Sequence, residues 1–376
     1  MEILKRLTIN FKEKIGIILF FSYEIFACFC FKDLMANPIN DTKKIFNSAR
    51  KYQKGLEGVK KNYKKAFNLY KEAAEQGYAD AQFSLAQMYT NGEGVEKDIK
   101  EAAHWYEEAA GQGQAEAQLK LGLIYYNGEG VEKDVKEAIY WYQEAAEQNI
   151  LGALYELGFV YKNGYGVKKN AQKAFEFYQE AAEQGHAKSQ HSLGVIYSDI
   201  ISDKMDYQEA IYWYKKAAEQ GFAQSAFNLG LMYQDEDVGI NNAEAFKWYK
   251  KATKSGHTGA QLKVASMLYT GQGTKQNIEK AAQWYAKLAY QNVPEAQYHL
   301  GMLYTKVTRS KRNRVEAFRW VRKAAGLGYA KAQFQIGMFY YKGHIIPKNM
   351  KLAQAWMQLA LKNGYIKASF KATQNK

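Results

Sequence analysis

Cysteine is almost missing from the chain. Of 376 residues only Cys28 and Cys30 are cysteine, both near the start, so the remainder holds no disulfide framework, zinc ribbon or cysteine nucleophile. Proline is equally scarce at 3 residues, which leaves helices free to run without interruption. The 6 histidines are His104, His186, His191, His257, His299 and His344. They are scattered without His-Glu-x-x-His spacing, which excludes a zincin-type metal site. Pairs such as Gly92 and Gly94, Gly128 and Gly130, Gly164 and Gly166, and Gly271 and Gly273 have no Lys-Ser/Thr behind them, so they read as turns and not as phosphate loops. The acidic residues Asp199, Asp203, Asp206, Asp235, Glu236 and Asp237 lack EF-hand spacing. No Ser, His and Asp set stands out. Catalytic residues, metal and cofactor are all expected to be none.

Apolar material is plentiful. Hydrophobic residues make up 47% of the chain, with 19 Phe, 30 Tyr and 7 Trp, far too many for disorder and enough for a large core. Length alone suggests two or three domains, but one unit recurs instead. Glu-Ala-Ala-Glu-Gln-Gly ends at Gly77, and its equivalents end at Gly113, Asn149, Gly185, Gly221, Gly256, Asn292, Gly328 and Gly364. All steps are 36 residues except one of 35. The units are 42–77, 78–113, 114–149, 150–185, 186–221, 222–256, 257–292, 293–328 and 329–364, preceded by a 37–41 linker and followed by a partial tenth helix or tail at 365–376.

Each unit reads as a helical hairpin. In 114–149, Ala115, Ala117, Leu121, Gly122, Ile124 and Tyr125 recur at steps that mark one helix face, and Ala138, Trp141, Tyr142, Ala145 and Ala146 mark a second. Asn127-Gly128-Glu129-Gly130 ends the first helix and Asp134 caps the next. Helices of about three turns are marginal alone, so stability must come from stacking hairpins. Gly122 and Ala138 let backbones approach, while Trp141 and Tyr142 fill the adjoining space.

The pattern formed by Ala115, Ala117, Gln118, Leu121, Gly122, Tyr125, Gly128, Gly130, Val131, Asp134, Ala138, Trp141, Tyr142, Ala145 and Ala146 resembles the Sel1-like repeat, a relative of the tetratricopeptide repeat. It recurs over 323 of 376 residues. The resemblance implies an all-α fold, a right-handed α-solenoid of about nine 36-residue hairpins whose first helices line a concave surface. It also implies a non-catalytic adaptor that assembles other proteins, often in the bacterial envelope or at a host interface. One cysteine-rich branch of the family has β-lactamase activity, so a β-lactamase-like or penicillin-binding role is the enzymatic alternative. That branch carries paired cysteines in its repeats, and here the repeats have none.

Residues 1–36 read as a signal peptide or targeting segment. Lys5, Arg6, Lys12 and Lys14 precede the uncharged run Ile15 to Tyr23, the order of a secretory signal. That run is too short to span a bilayer, and extending it to Phe31 includes Glu24. Ala27 before Cys28 resembles a lipoprotein cleavage site, and Ala36 is another place to cut. The expected location is exported: periplasmic, envelope-associated or secreted, with acylation at Cys28 or a cytosolic chain with an apolar leader as alternatives.

Charge is segregated along the sequence. Residues 43–71 hold ten Lys or Arg and one Glu; residues 72–147 hold five basic against sixteen acidic; residues 306–376 hold sixteen basic and Glu316 alone. The overall +14 hides this basic, acidic, basic order, which suits an acidic stretch drawing a basic partner and a C-terminal end docking on an anionic polymer or membrane surface. Solvated terminal lysines that blunt the stack are the plainer explanation. Sequence-specific nucleic-acid binding is not expected.

Three turns depart from the pattern. Ser198 to Asp206 replaces the glycines, Gln234 to Asp237 sits in the short unit, and Lys306, Arg309, Lys311, Arg312 and Arg314 crowd one turn. The first two are expected to be irregular, and the four residues Arg309, Lys311, Arg312 and Arg314 form a candidate basic edge. One helical turn before the small residue of each first helix stand Phe83, Leu119, Tyr155, His191, Phe227, Leu262, Tyr298 and Phe334. A companion row includes Tyr126, Lys162, Gln234, Tyr269 and Tyr341. The groove candidates for a protein partner are therefore Phe83, Leu119, Tyr126, Tyr155, His191, Phe227, Tyr269, Tyr298, Phe334 and Tyr341. Core packing between first helices is the competing role for such a stripe.

Overall fold

The structure, a computed structural model, describes residues 38–199, 205–307 and 310–365. The targeting segment with its cleavage sites, residues 200–204 of the altered turn, Arg309 and the tail beyond Tyr365 lie outside the described residues.

Helices pair into hairpins throughout, and no strand occurs among the described residues. The first helices are α1 (Pro38–Lys54), α3 (Ala79–Asn91), α5 (Ala115–Asn127), α7 (Leu151–Asn163), α9 (Ala187–Ser198), α11 (Ala223–Met232), α13 (Thr258–Thr270), α15 (Pro294–Val307) and α17 (Ala330–Lys342). Their partners are α2 (Tyr63–Glu75), α4 (Ile99–Gly111), α6 (Val135–Glu147), α8 (Ala171–Glu183), α10 (Tyr207–Glu219), α12 (Asn242–Thr253), α14 (Ile278–Tyr290), α16 (Lys311–Gly326) and α18 (Met350–Lys362). The chain divides into two compact units, one ending at Phe177 and the other beginning at Tyr178.

Capping explains where helices start and stop. Asp134 Oδ1 accepts from the backbone N–H groups of Lys136 at 2.9 Å and Glu137 at 3.1 Å, as the sequence predicts, and Asp98 and Asp206 do the same for α4 and α10. Gly128 closes α5 at φ 74°. The second glycine of the turn answers a different need. A Cβ on Gly130 would stand 2.8 Å from the carbonyl carbon of Ile99 at the start of α4, so the turn docks directly on the preceding hairpin.

Within a hairpin the small residue of the first helix receives the ring of the second. A Cβ on Gly122 would lie 2.6 Å from Tyr142 and 3.1 Å from the Ala138 carbonyl oxygen. The rings of Tyr70, Tyr142, Tyr178, Tyr249 and Tyr285 are all fully buried in this register. Between hairpins runs a buried column of glutamines that apolar periodicity alone does not reveal. Gln118 donates to the Ala110 carbonyl at 3.3 Å and accepts from Gln148 at 2.8 Å; Gln190 does so with Ala182 at 3.0 Å and Gln220 at 2.9 Å. The Gln of Glu-Gln-Gly is therefore a junction residue. Where Leu327 replaces it, Gln297 Oε1 is buried without a hydrogen bond.

Two boundaries differ from the sequence reading. Residues 38–41, expected in a linker, form the first turn of α1: Pro38 is preset for a helix start, and Asp41 suits the positive end of the dipole. The basic turn is also shorter than expected. Ser310 caps Asn313 at 3.2 Å, so Lys311, Arg312 and Arg314 belong to α16 and not to a projecting turn. With no glycine to stop it, α15 extends to Val307, and the Lys/Arg run favours helix. In the short unit, α11 has only 10 residues, and its turn is held by Asp235 Oδ1 accepting from the Asp237 N–H at 2.9 Å.

Candidate functional site

Each candidate of the aromatic row is half-buried. Their neighbours are internal. Phe83 lies 5.8 Å from Tyr106; Phe227 stacks on His257 at 4.5 Å; Tyr298 meets Tyr329 at 5.6 Å; Phe334 meets Tyr365 at 5.0 Å. His191 sits 5.0 Å from Phe222, and its Nδ1 is 2.8 Å from Ser225 Oγ. Leu119 packs beneath the following hairpin, 2.9 Å from where a Cβ on Gly152 would stand. Tyr155 is likewise half-buried, and burial raises its phenol pKa. In these pairs the row residue of one hairpin packs against the residue that opens the next first helix.

The open recesses are lined by other rows. In the first unit a slot of about 400 Å³ lies between α3 and α5. Gln87, Thr90 and Asn91 form one wall, Lys120, Leu123, Ile124 and Asn127 the other, with Glu129 at the rim and Ile99 and Tyr106 of α4 as floor. In the second unit a slot of about 170 Å³ lies between α15 and α17, lined by Met302, Thr305, Gln335, Phe339, Lys342, His344 and Ile345. The two slots occupy the same register, because Met302, Thr305, Gln335, Phe339, Lys342 and His344 stand where Gln87, Thr90, Lys120, Ile124, Asn127 and Glu129 stand.

The companion row belongs to this open face. Tyr126 holds the Thr90 register and gathers Phe159 and Tyr165, each 6.3 Å away, with Lys133 Nζ 5.2 Å from its ring. Beneath these rings Tyr142 is fully buried with its hydroxyl unpaired, and burial drives its pKa upward. Other floor tyrosines find partners: Tyr249 donates to Gln234 at 2.9 Å, and Tyr70 donates to Gln53 at 2.9 Å, burial nevertheless pushing the Tyr70 phenol up to about 12. Tyr269 takes a hydrogen bond from Lys306, whose ammonium also lies 5.0 Å over the ring. Tyr341 is exposed on α17.

On the candidate basic edge, Arg312 and Arg314 are exposed on α16, and Arg314 Nη1 reaches the His344 carbonyl oxygen at 3.5 Å. Among the described residues no three His, Cys, Asp or Glu side chains gather where they could hold a metal ion. His299 stacks on Tyr285 at 4.9 Å and approaches Glu295 at 3.8 Å, and its hydrogen bond lowers the Glu295 pKa. The slot-lining residues escaped attention because the apolar periodicity that identifies packing rows passes over polar ones. A signal was present: Asn91, Asn127 and Asn163 recur at 36-residue steps on the exposed side of their helices.

The Sel1 repeat model matches nine times, over residues 46–78, 79–114, 115–150, 152–186, 187–222, 223–257, 258–293, 294–329 and 330–365. Among solved structures, a Sel1 repeat protein from Oxalobacter formigenes is 29% identical, over 82% of this chain and 90% of its own, with a TM-score of 0.57. A protective antigen of uropathogenic Escherichia coli strains, displaying an SLR fold, is 30% identical over 89% of this chain and 79% of its own, with a TM-score of 0.46. No curated protein matches the chain. Proteins built from this repeat are generally protein-interaction scaffolds, and the family is typically non-catalytic.

Proposed function

The chain belongs to the Sel1 repeat family, and on that premise we propose that it is a non-catalytic scaffold that holds a partner protein on its first-helix face. The observation that carries the reading is the α3/α5 slot. It is an open recess of about 400 Å³ whose walls offer carboxamides, a lysine and a carboxylate over an apolar floor. Such a lining suits an extended segment of another protein: main-chain amides meet Gln87, Asn91 and Asn127, and an apolar side chain meets Leu123 and Ile124. The half-buried row from Phe83 to Phe334 supports this face from below, while Tyr126, Tyr269 and Tyr341 extend it outward. The charged-then-apolar leader supports an exported, envelope-associated location, for which fractionation with sequencing of the mature N-terminus is the check.

Affinity capture tests the binding role, using a tagged chain beside a variant carrying Asn91→Arg and Asn127→Arg. Both asparagines are exposed, so the variant is expected to melt as the parent does while losing the partner. A second variant, Phe83→Ala, separates support from contact: it should lower stability and weaken capture only as folding weakens. Full capture by the double arginine variant would remove the α3/α5 slot from the interface.

A further inference from the structure

We propose that the α15/α17 slot is a second recognition site, selective for an acidic peptide segment of a partner protein that carries one apolar side chain. This rests on the scaffold reading and names a partner class for a different recess. Between the two slots of common register, every change at the rim runs toward positive charge. Lys306 stands where Asn91 does, Lys342 where Asn127 does, and His344 where Glu129 does. Arg314 joins them through its contact with the His344 carbonyl. Lys306, Lys342 and Arg314 are exposed, and none pairs with a carboxylate among the described residues. Glu316, the single acid of the C-terminal block, is directed to Arg319 at 3.6 Å.

The inner wall has changed in the opposite sense. Met302 replaces Gln87, Gln335 replaces Lys120, and Phe339 replaces Ile124, so the recess of about 170 Å³ is apolar inside and cationic outside. Its volume suits one branched or aromatic side chain. Methionine adapts its shape to such a guest, while cations at the rim steer a carboxylate-bearing chain and fix its register. An anionic polymer or a membrane satisfies the rim alone and leaves the apolar recess empty. An acidic peptide with one large apolar residue satisfies both.

The test is fluorescence anisotropy on the full chain with a labelled glutamate-rich peptide bearing one central leucine. The peptide is expected to bind, more weakly as salt rises. Replacing its leucine by serine should weaken binding, and the protein variant Arg314→Glu with Lys342→Glu should weaken it about tenfold or more. Both positions are exposed, and glutamate near the start of α16 suits the helix dipole, so the variant should keep the parent's urea midpoint. Asn127→Arg, in the other slot, should bind the peptide as the parent does. No binding by the parent, undiminished binding by the double glutamate variant, or equal affinity for the leucine and serine peptides would overturn the proposal. So would heparin or phosphatidylglycerol vesicles displacing the peptide while binding Met302→Ser undiminished and the peptide showing no such loss. These outcomes leave the α3/α5 reading standing, because that reading depends on Asn91 and Asn127 and is judged by partner capture.

Discussion

The α3/α5 slot and the α15/α17 slot share a register but not a chemistry. The first presents Gln87, Asn91, Asn127 and Glu129; the second presents Met302, Lys342 and His344. In the α5/α6 hairpin a glycine in the first helix faces a buried tyrosine, Gly122 against Tyr142. In the α17/α18 hairpin the glycine remains but its partner has become Met357, 2.8 Å from where the Gly337 Cβ would stand. Inward rows vary only as far as packing density allows, whereas outward rows change sign of charge between one end and the other. Recognition in a repeat protein is thus written in residues that the fold does not need.

The largest expected difference concerns that glycine. Gly122→Val forces a branched side chain against an aromatic ring and the Ala138 carbonyl, and should cost about 3 kcal/mol; Gly337→Val meets a flexible methionine and should cost about 1 to 2 kcal/mol. Urea unfolding of the two variants compares them directly, and equal losses would show that the facing side chain does not set the tightness of the junction. A smaller contrast lies in the tyrosine floor. Tyr249→Phe removes a bond to Gln234 and should destabilise by about 1 kcal/mol, while Tyr142→Phe removes a hydroxyl that has no partner and should be neutral or slightly stabilising. Matching losses at both positions would mean that the Tyr142 hydroxyl is hydrogen-bonded after all.

The smallest effect is on pH dependence, and it separates the units. Burial lowers the pKa of His186 and His257, both in the second unit, below the ordinary 6.5. As pH falls below that value the unfolded chain takes up protons before the folded one, so stability declines with acidification. Glu295, lowered by its hydrogen bond from His299, contributes stability that is present above 4.5 and lost as pH falls through its depressed folded value. Amide exchange followed from about pH 7.5 to about pH 5.5, corrected for the intrinsic rate, should therefore rise in the second unit more than in the first. His186→Gln with His257→Gln should flatten the difference.

Much of the fold was legible in the sequence because it is written repeatedly. The Asp134 cap, the Gly128 stop and the Gly122 approach each follow from one residue's chemistry and recur with the 36-residue period. The glutamine column was hidden because a buried amide looks like a surface residue until its partners at Ala110 and Gln148 are in place. The face was harder to read. Apolar periodicity drew attention to Phe83, Phe227 and Phe334, which contact the next hairpin, and away from Asn91, Asn127 and Lys342, which line open slots. The basic turn was misplaced because its boundary depends on Ser310 capping α16, and a serine beside a charged run suits a loop equally well.

The most direct test of first-helix recognition is a photocrosslinking amino acid placed either at Gln87, in the α3/α5 slot, or at Tyr140, on the exposed side of α6. Irradiated in an extract of the source cells, the Gln87 probe should yield one discrete partner adduct, absent after Asn91→Arg with Asn127→Arg, and the Tyr140 probe should yield none. An adduct at Tyr140 with none at Gln87 would place the binding surface on the second helices instead.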